Sequence, residues 1–292
     1  VKKERTFKEI RVKSPLNKMK RKIPYGWDLN IYRGCQHGCW YCYALYSHEY
    51  LGSGDFYRDI HVKVNIVEEL EKKFREPAWK REVINIGGVT DSYQPAEEKY
   101  QLMPLIIKLL IKYKNPAIIS TKSKLVLRDF DLIDQLSRLT YINIAATITT
   151  VEEDIRRKIE PGSSSSGERF SFLKEFKKTR ASLGLHVMPI IPFITDKEEN
   201  FDQMFFQARD CGVDYVLPGA LYLRGKTRSQ FLDFVEEEFP HIFYDFKALY
   251  KKGGAGKEYK EQLYKMVNAL RDKYQLSRSY MKPMRERLNP NQ

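Results

Sequence analysis

Leu29-Asn30-Ile31-Tyr32-Arg33-Gly34-Cys35-Gln36-His37-Gly38-Cys39-Trp40-Tyr41-Cys42 joins a short apolar run to a turn with three cysteines in eight positions. The run at 29–32 reads as a buried strand. The turn that leaves it sends three sulfurs into one small volume. Three neighbouring cysteines cannot all pair with one another, so the cluster reads as metal binding rather than as a disulfide framework.

Outward from this stretch, short β-branched runs alternate with longer helical patterns. Strands are expected at 29–32, 83–86, 117–120, 142–146, 186–190 and 215–217. Apolar residues fall at helical spacing over 64–74, 101–113, 129–139, 170–183 and 201–211. Gly184, Gly212 and Asn115-Pro116 read as helix stops and turns between them. Strict alternation of β and α argues for an α/β fold with a parallel sheet. Six units suit a partial (β/α)6 TIM-like barrel whose site lies at the C-terminal ends of the strands. The serines Ser163 to Ser166 read as a flexible loop without chemistry. Past Gly225 the pattern is helical, most clearly over 231–239 and 259–274. The expected organisation is a basic N-terminal extension (1–27), the barrel (28–224) and a C-terminal helical extension packed on it (225–292).

With 292 residues, 42% of them hydrophobic and 13% aromatic, the chain has the material for a packed globule rather than a disordered polymer. No run approaches the roughly 18 apolar residues of a membrane span, so a cytoplasmic protein without a membrane partner is expected. A reducing compartment suits its cysteines. The formal charge of +13 concentrates at 2–22 and 247–287. Such surfaces attract phosphates through counterion release, which makes nucleic acid the expected substrate class; solvated helix faces are the bland alternative.

Thiolates suit both zinc and iron-sulfur clusters, so residue type alone does not choose. Structural zinc takes four protein ligands, usually as two spaced pairs, and no second pair is present. His37 lies between two cysteines and would have to fold back onto the same ion. An iron-sulfur cube with three cysteine ligands keeps one iron open for a non-protein ligand. A non-catalytic, zinc-stabilised nucleic-acid-binding module is the competing reading.

The CxxxCxxC spacing resembles the signature of the radical S-adenosylmethionine (SAM) superfamily. The longer string Asn30 to Cys35, continuing through Cys42-Tyr43-Ala44, resembles its spore photoproduct lyase and DNA repair photolyase branch, as does Gly87-Gly88-Val89-Thr90-Asp91-Ser92-Tyr93-Gln94-Pro95. The resemblance implies a 4Fe-4S cluster on Cys35, Cys39 and Cys42, with SAM on the open iron. It implies reductive cleavage to a 5′-deoxyadenosyl radical that abstracts hydrogen from a substrate, and a low-potential electron donor such as flavodoxin or ferredoxin. By the same resemblance Thr90 and Asp91 hold the cofactor's amino group and Lys122 its carboxylate. Thr147 lies near the ribose, and Tyr41, Pro189 and Ile190 approach the adenine. Glu160-Pro161 with Glu168-Arg169-Phe170, and Tyr222-Leu223-Arg224, echo two further segments of the branch, and Arg224 is expected at the active-site mouth.

Two departures limit what carries over. Where spore photoproduct lyase has a hydrogen-donating cysteine, this chain has Val89, which cannot donate a thiol hydrogen. Cys211 precedes the sixth strand, so it is expected at the barrel's opposite face as a small buried residue. Tyr43 and Tyr93 are the alternative hydrogen relays. The reaction therefore stays unnamed, and a small molecule or a peptide remains the alternative substrate. Gly253-Gly254-Ala255-Gly256-Lys257 lacks the spacing and the Ser/Thr of a phosphate loop.

Overall fold

The computed structural model describes residues 6–20, 25–49 and 54–288. Among the described residues ten strands are formed: β1 (Thr6–Ile10), β2 (Leu16–Lys18), β3 (Trp27–Leu29), β4 (Tyr32–Arg33), β5 (Asp59–Lys63), β6 (Ile84–Ile86), β7 (Ala117–Thr121), β8 (Ile142–Thr147), β9 (Ser182–Ile190) and β10 (Tyr215–Ala220). The helices are α1 (Tyr46–Glu49), α2 (Ile66–Arg75), α3 (Ala96–Tyr100), α4 (Leu102–Tyr113), α5 (Phe130–Leu139) and α6 (Glu153–Ile159). They continue with α7 (Ser166–Phe176), α8 (Glu198–Cys211), α9 (Gly225–Glu238), α10 (Phe243–Leu249), α11 (Lys257–Lys273) and α12 (Met281–Leu288).

The main sheet has the order β10-β9-β8-β7-β6-β3-β2. All its pairings are parallel except β2 with β3. Apart from that edge strand, spatial order follows chain order. Each right-handed crossover therefore adds the next strand on the same side, and the helices all fall on one face. A sheet covered on one face by its own crossovers curls around the other, which gives the expected partial barrel; β10 and β2 do not pair, so it is not closed.

Alternation along the strands produces the two faces. Leu29, Ile86, Ile119, Ile144, Leu185 and Val216 point to the helices and form the main core. The residues between them line the concave face and are mostly polar or small, Ile118 and Leu217 being apolar exceptions. Cross-strand register sets Asp28 beside Asn85, and Asn143, Ala145 and Thr147 beside Ser182, Gly184 and His186. Tyr215 lies flat across Gly184: a Cβ there would stand 2.4 Å from the Tyr215 Cζ and hydroxyl. The Tyr215 hydroxyl donates to Asn143 Oδ1 (3.0 Å) and faces His186 Nε2 (3.0 Å), while His186 Nδ1 faces Ser120 Oγ (3.3 Å). One side-chain chain thus links β7, β8, β9 and β10 inside the barrel. Burial lowers His186 to about 4, with the Lys122 charge adding to it, so the ring is neutral in this network.

Several expectations need correction. The strand expected at 29–32 is split. It ends at Leu29, and Tyr32–Arg33 pairs with β5 in a small second sheet of order β1-β5-β4. An apolar run is buried in either sheet, so hydrophobicity alone could not divide it. The helix expected to run to 183 stops at Phe176, and Gly184 is no helix stop but the third residue of β9, which begins at Ser182. The serine loop is packed rather than flexible. Ser165 and Glu168 form a reciprocal capping box for α7, and the Ser166 hydroxyl donates to Thr150 O (2.6 Å).

The basic stretch expected at 2–22 lies partly outside the described residues; its described part supplies β1, which pairs in parallel with β5, and β2. At the other end of the chain, Met284 of α12 packs with Val83, Ile118 and Tyr141, closing the barrel where its strands begin. Among the described residues no helix is long and apolar enough to cross a membrane.

Gly184→Ala is expected to lose about 1–3 kcal/mol of unfolding free energy, because the new methyl must push the Tyr215 ring. Gly167→Ala in α7, where a Cβ meets nothing within 4 Å, is expected to be neutral or to gain up to about 1 kcal/mol. Urea denaturation of the two variants checks the contrast.

Candidate metal and cofactor site

The cysteine turn is held by backbone and side-chain bonds from almost every side. Cys35 N donates to Phe56 O (2.9 Å), Trp40 N to Ile159 O (3.1 Å), and Gly162 N to His37 O (2.8 Å). Gln94, in the segment after β6, accepts from Gln36 N and donates to Gly34 O, both at 3.0 Å. Gly34 has φ +83°, and a Cβ there would meet Asp59 O at 2.7 Å, so only glycine lets the turn approach the β5 edge. From beyond the barrel, Thr227 and Gln230 of α9 donate to Cys42 O (2.8 Å) and Trp40 O (3.1 Å), and Phe234 stacks on Trp40.

Cys35 and Cys39 are buried and Cys42 is half-buried. Burial pushes the Cys35 thiol up to about 12, with the Asp91 charge adding to it, and burial raises Cys39 and Cys42 as well. Such thiols are poor free nucleophiles and ionise when a metal supplies the countercharge. Among the described residues no group of three His, Cys, Asp or Glu is set to hold one metal ion. Thiolates that bind separate irons of one cluster need not converge on a single point, so this donor set fits a cluster better than a lone ion.

Two buried carboxylates join the turn to the strand ends. Asp91 Oδ2 lies 3.0 Å from His37 Nε2 and accepts from Lys122 N (2.8 Å). Asp91 Oδ1 accepts from Thr121 Oγ1 (2.8 Å) and Tyr93 N (2.9 Å). Burial alone would raise this carboxyl, but His37 and these donors hold it at about 2. Glu160, fully buried, pairs with the equally buried Arg169 (2.5 Å) and accepts from the Tyr41 hydroxyl and from Thr149 Oγ1. Arg169 also donates to Thr147 O (2.7 Å) and Ser164 O (3.0 Å). Against the cost of burial, Arg169 and Lys122 hold Glu160 at about 2.

Lys122 sits between these carboxylates. Its ammonium is 5.8 Å from the centre of the Tyr41 ring. Burial opposes its charge, but the Cys39 thiolate and Glu160 outweigh it and raise the pKa. The three cysteines, Tyr41, Thr90, Asp91, Lys122 and Thr147 therefore come together at adjoining strand ends. The Thr90 hydroxyl is buried and donates to Tyr32 O (3.2 Å). Tyr43 is exposed and its hydroxyl donates to Gly88 O on the same rim.

The other sequence candidates are not gathered into this cluster. Tyr93 is fully buried with its hydroxyl on Asp129 Oδ2 (3.0 Å). Ile190 faces the apolar core, and Pro189 follows a cis peptide bond and is half-buried. Val89 packs beside Cys35 and Cys42. Cys211 is in the core with its thiol 3.3 Å from Phe170 O, as expected of a small buried residue. Arg224 is exposed and stacks on Tyr222 at 4.6 Å. The second-layer residues Gln94, Glu160, Arg169, Thr227 and Gln230 were not assigned from sequence. A Glu and an Arg nine positions apart carry no local signal of mutual burial.

Arg169→Met strands a buried carboxylate and is expected to lose about 3–5 kcal/mol of stability. Asp91 and Glu160 are depressed in the folded state, so the stability they contribute is present above their unfolded values near 4 and is lost as pH falls towards 2. Glu160→Gln is expected to flatten that acid limb. Urea midpoints between pH 5 and pH 3 measure both effects.

The model of the Radical SAM superfamily matches residues 29–205. An uncharacterized protein of Mycobacterium tuberculosis is 34% identical over 280 residues, covering 93% of this chain and 82% of its own. Another, from Methanocaldococcus jannaschii, is 32% identical over 236 residues, covering 80% and 84%. Among solved structures, spore photoproduct lyase complexed with dinucleoside spore photoproduct superposes with a TM-score of 0.66 over 92% of this chain and 79% of its own. At 15% identity that likeness bears on the fold alone. With the family model spanning more than half of its length, the chain belongs to the radical SAM superfamily of enzymes.

Proposed function

We propose that the chain holds a 4Fe-4S cluster on Cys35, Cys39 and Cys42, binds SAM against it, and acts on a nucleic acid. The observation that carries this reading is the three-thiol turn stapled among the strand ends, with the Lys122 ammonium beside it. When bound, the cluster and SAM supply one-electron reduction and hydrogen-atom abstraction; the protein supplies orientation and shielding.

In this reading Lys122 pairs with the cofactor's carboxylate as a charge-assisted donor, and Asp91 fixes its position by accepting its amide. Asp91 already accepts from Lys122 N, Thr121 Oγ1 and Tyr93 N, and its Oδ2 lies 3.0 Å from His37 Nε2. Thr90 and Asp91 therefore serve the cofactor's amino group by shaping a loop whose backbone carbonyls receive it. Tyr41, locked by Glu160, and Thr147, locked through Arg169, bound the nucleoside end, with the half-buried Pro189 at the neighbouring strand end; Ile190, turned into the core, supports it only through the backbone. Tyr43, exposed on the rim, is better placed than Tyr93 to pass hydrogen to a substrate.

The barrel unit is assigned to 28–224, with 1–27 and 225–292 as its extensions. A reducing cytoplasm and a low-potential donor of the flavodoxin or ferredoxin class suit three unpaired thiols and a reductive start. The formal charge of +13 supports a polyanionic substrate, and the neighbouring fold was solved with a dinucleoside photoproduct bound.

Anaerobic reconstitution is expected to load iron and sulfide, and dithionite with SAM is expected to release 5′-deoxyadenosine. Serine at any one of Cys35, Cys39 or Cys42 abolishes both. Lys122→Met is expected to weaken SAM binding by about 10- to 100-fold, the loss of one charge-assisted bond. Zinc as the sole metal, or intact SAM after prolonged incubation, overturns the proposal. If no DNA or RNA, single or double stranded, binds at low salt, the substrate is a small molecule or peptide.

A further inference from the structure

We propose that a basic pocket on the barrel rim beside β10 docks the phosphodiester backbone of the substrate strand. The inference rests on the nucleic-acid reading above and names the surface that would carry it. The pocket, about 590 Å³, is lined by Tyr222, Lys252, Gly254, Lys257, Lys260 and Tyr264, together with Gly256 and Glu261.

Its place in the fold ties it to the site. The Tyr264 hydroxyl accepts from Ala220 N (3.1 Å) at the last residue of β10, so one wall is built on the C-terminal end of the sixth barrel strand. Tyr222 bridges to Gly254 in antiparallel fashion, and Leu223 N donates to Gly253 O (2.8 Å). The glycine turn that lacks the spacing of a phosphate loop is therefore the pocket's floor. It lies on the rim that carries the cysteine turn.

Its charge is uncompensated. Among the described residues Lys252 and Lys260 have no carboxylate partner within ion-pair distance, and Lys257 meets only Glu261, at 3.6 Å. Three cations against one carboxylate exceed what a single monoanion needs, and they match successive phosphates of a strand. The Arg224 guanidinium stacks 4.6 Å from the ring centre of the exposed Tyr222, giving a flat cationic plane beside the lysines. Cation and flat plane together are what a single strand uses, phosphates on the lysines and a base on the guanidinium.

The test measures binding of fluorescein-labelled single- and double-stranded oligonucleotides across a salt series. It compares the full chain, a pocket variant (Lys252→Ala, Lys257→Ala, Lys260→Ala) and a control with the same charge change elsewhere (Lys80→Ala, Lys108→Ala, Lys178→Ala). The pocket variant is expected to lower the slope of log K against log salt by roughly 2 to 3, the loss of three phosphate contacts, while the control leaves it in place. Equal losses in both variants, or none in the pocket variant while the native chain binds, overturn the docking site alone. Failure of the native chain to bind any oligonucleotide overturns the nucleic-acid reading and this site with it. Displacement of bound oligonucleotide by polyglutamate at equal charge reassigns the pocket to an acidic polypeptide and overturns the proposal.

Discussion

The Asp91 carboxylate is the point on which the site's geometry depends. Its two oxygens take donors from its own loop after β6 and from the end of β7, and one of them lies 3.0 Å from His37 of the cysteine turn. A buried carboxylate with fewer partners would protonate or move, because desolvation penalises its charge. Its depressed pKa is the measure of how well the surroundings satisfy it. The turn that presents three thiols and the loop that presents Lys122 are therefore fixed relative to one another by one residue. Glu160 does the same on the far side, joining Tyr41 of the cysteine turn to Arg169 and, through it, to the end of β8.

The two halves of the barrel differ in what their interiors do. Near the start of the strands the concave face carries interlocking amides, hydroxyls and rings, from Asp28 and Asn85 to Asn143 and Tyr215, and Met284 of α12 closes that end. Near the strands' ends the interior turns to charge: Asp91, Lys122, Glu160 and Arg169 with three thiols among them. Polar groups at the first end are satisfied by one another, which gives rigidity. The charged residues at the second end surround buried thiols that ionise only when a metal supplies further positive charge. The same sheet thus carries an interlocked polar layer at one end and a charged layer with three thiols at the other, the end where barrels of this class build their sites.

Residues past the barrel are part of the site rather than an appendage. Thr227 and Gln230 hold the backbone of the cysteine turn, and Phe234 covers Trp40. The turn is thereby sandwiched between the barrel and α9. The basic surface on the rim follows directly, because α11 is anchored to the end of β10 through Tyr264. A strand held there would lie across the rim that also carries the three thiols.

The sequence alone determined the parallel α/β class of the sheet and the location of the thiols. Alternating β and α patterns admit few topologies once crossovers must be right-handed, and cysteine spacing is a local property that survives without knowledge of the fold. It also placed Lys122 and Asp91 at strand ends, because strand ends follow from where apolar runs stop. Only the tertiary structure decided how those residues are used. Asp91 proves to be spent on holding the loop, Tyr93 is sealed in the core, and Tyr43 stands on the rim. Periodicity could not divide the run at 29–32 between two sheets, nor see that Gly184 makes room for Tyr215 from the next strand. Nor could it see the buried Glu160 and Arg169 pair. Each of these is a contact between residues distant in the chain, and a linear pattern records the burial of a side chain without recording its partner.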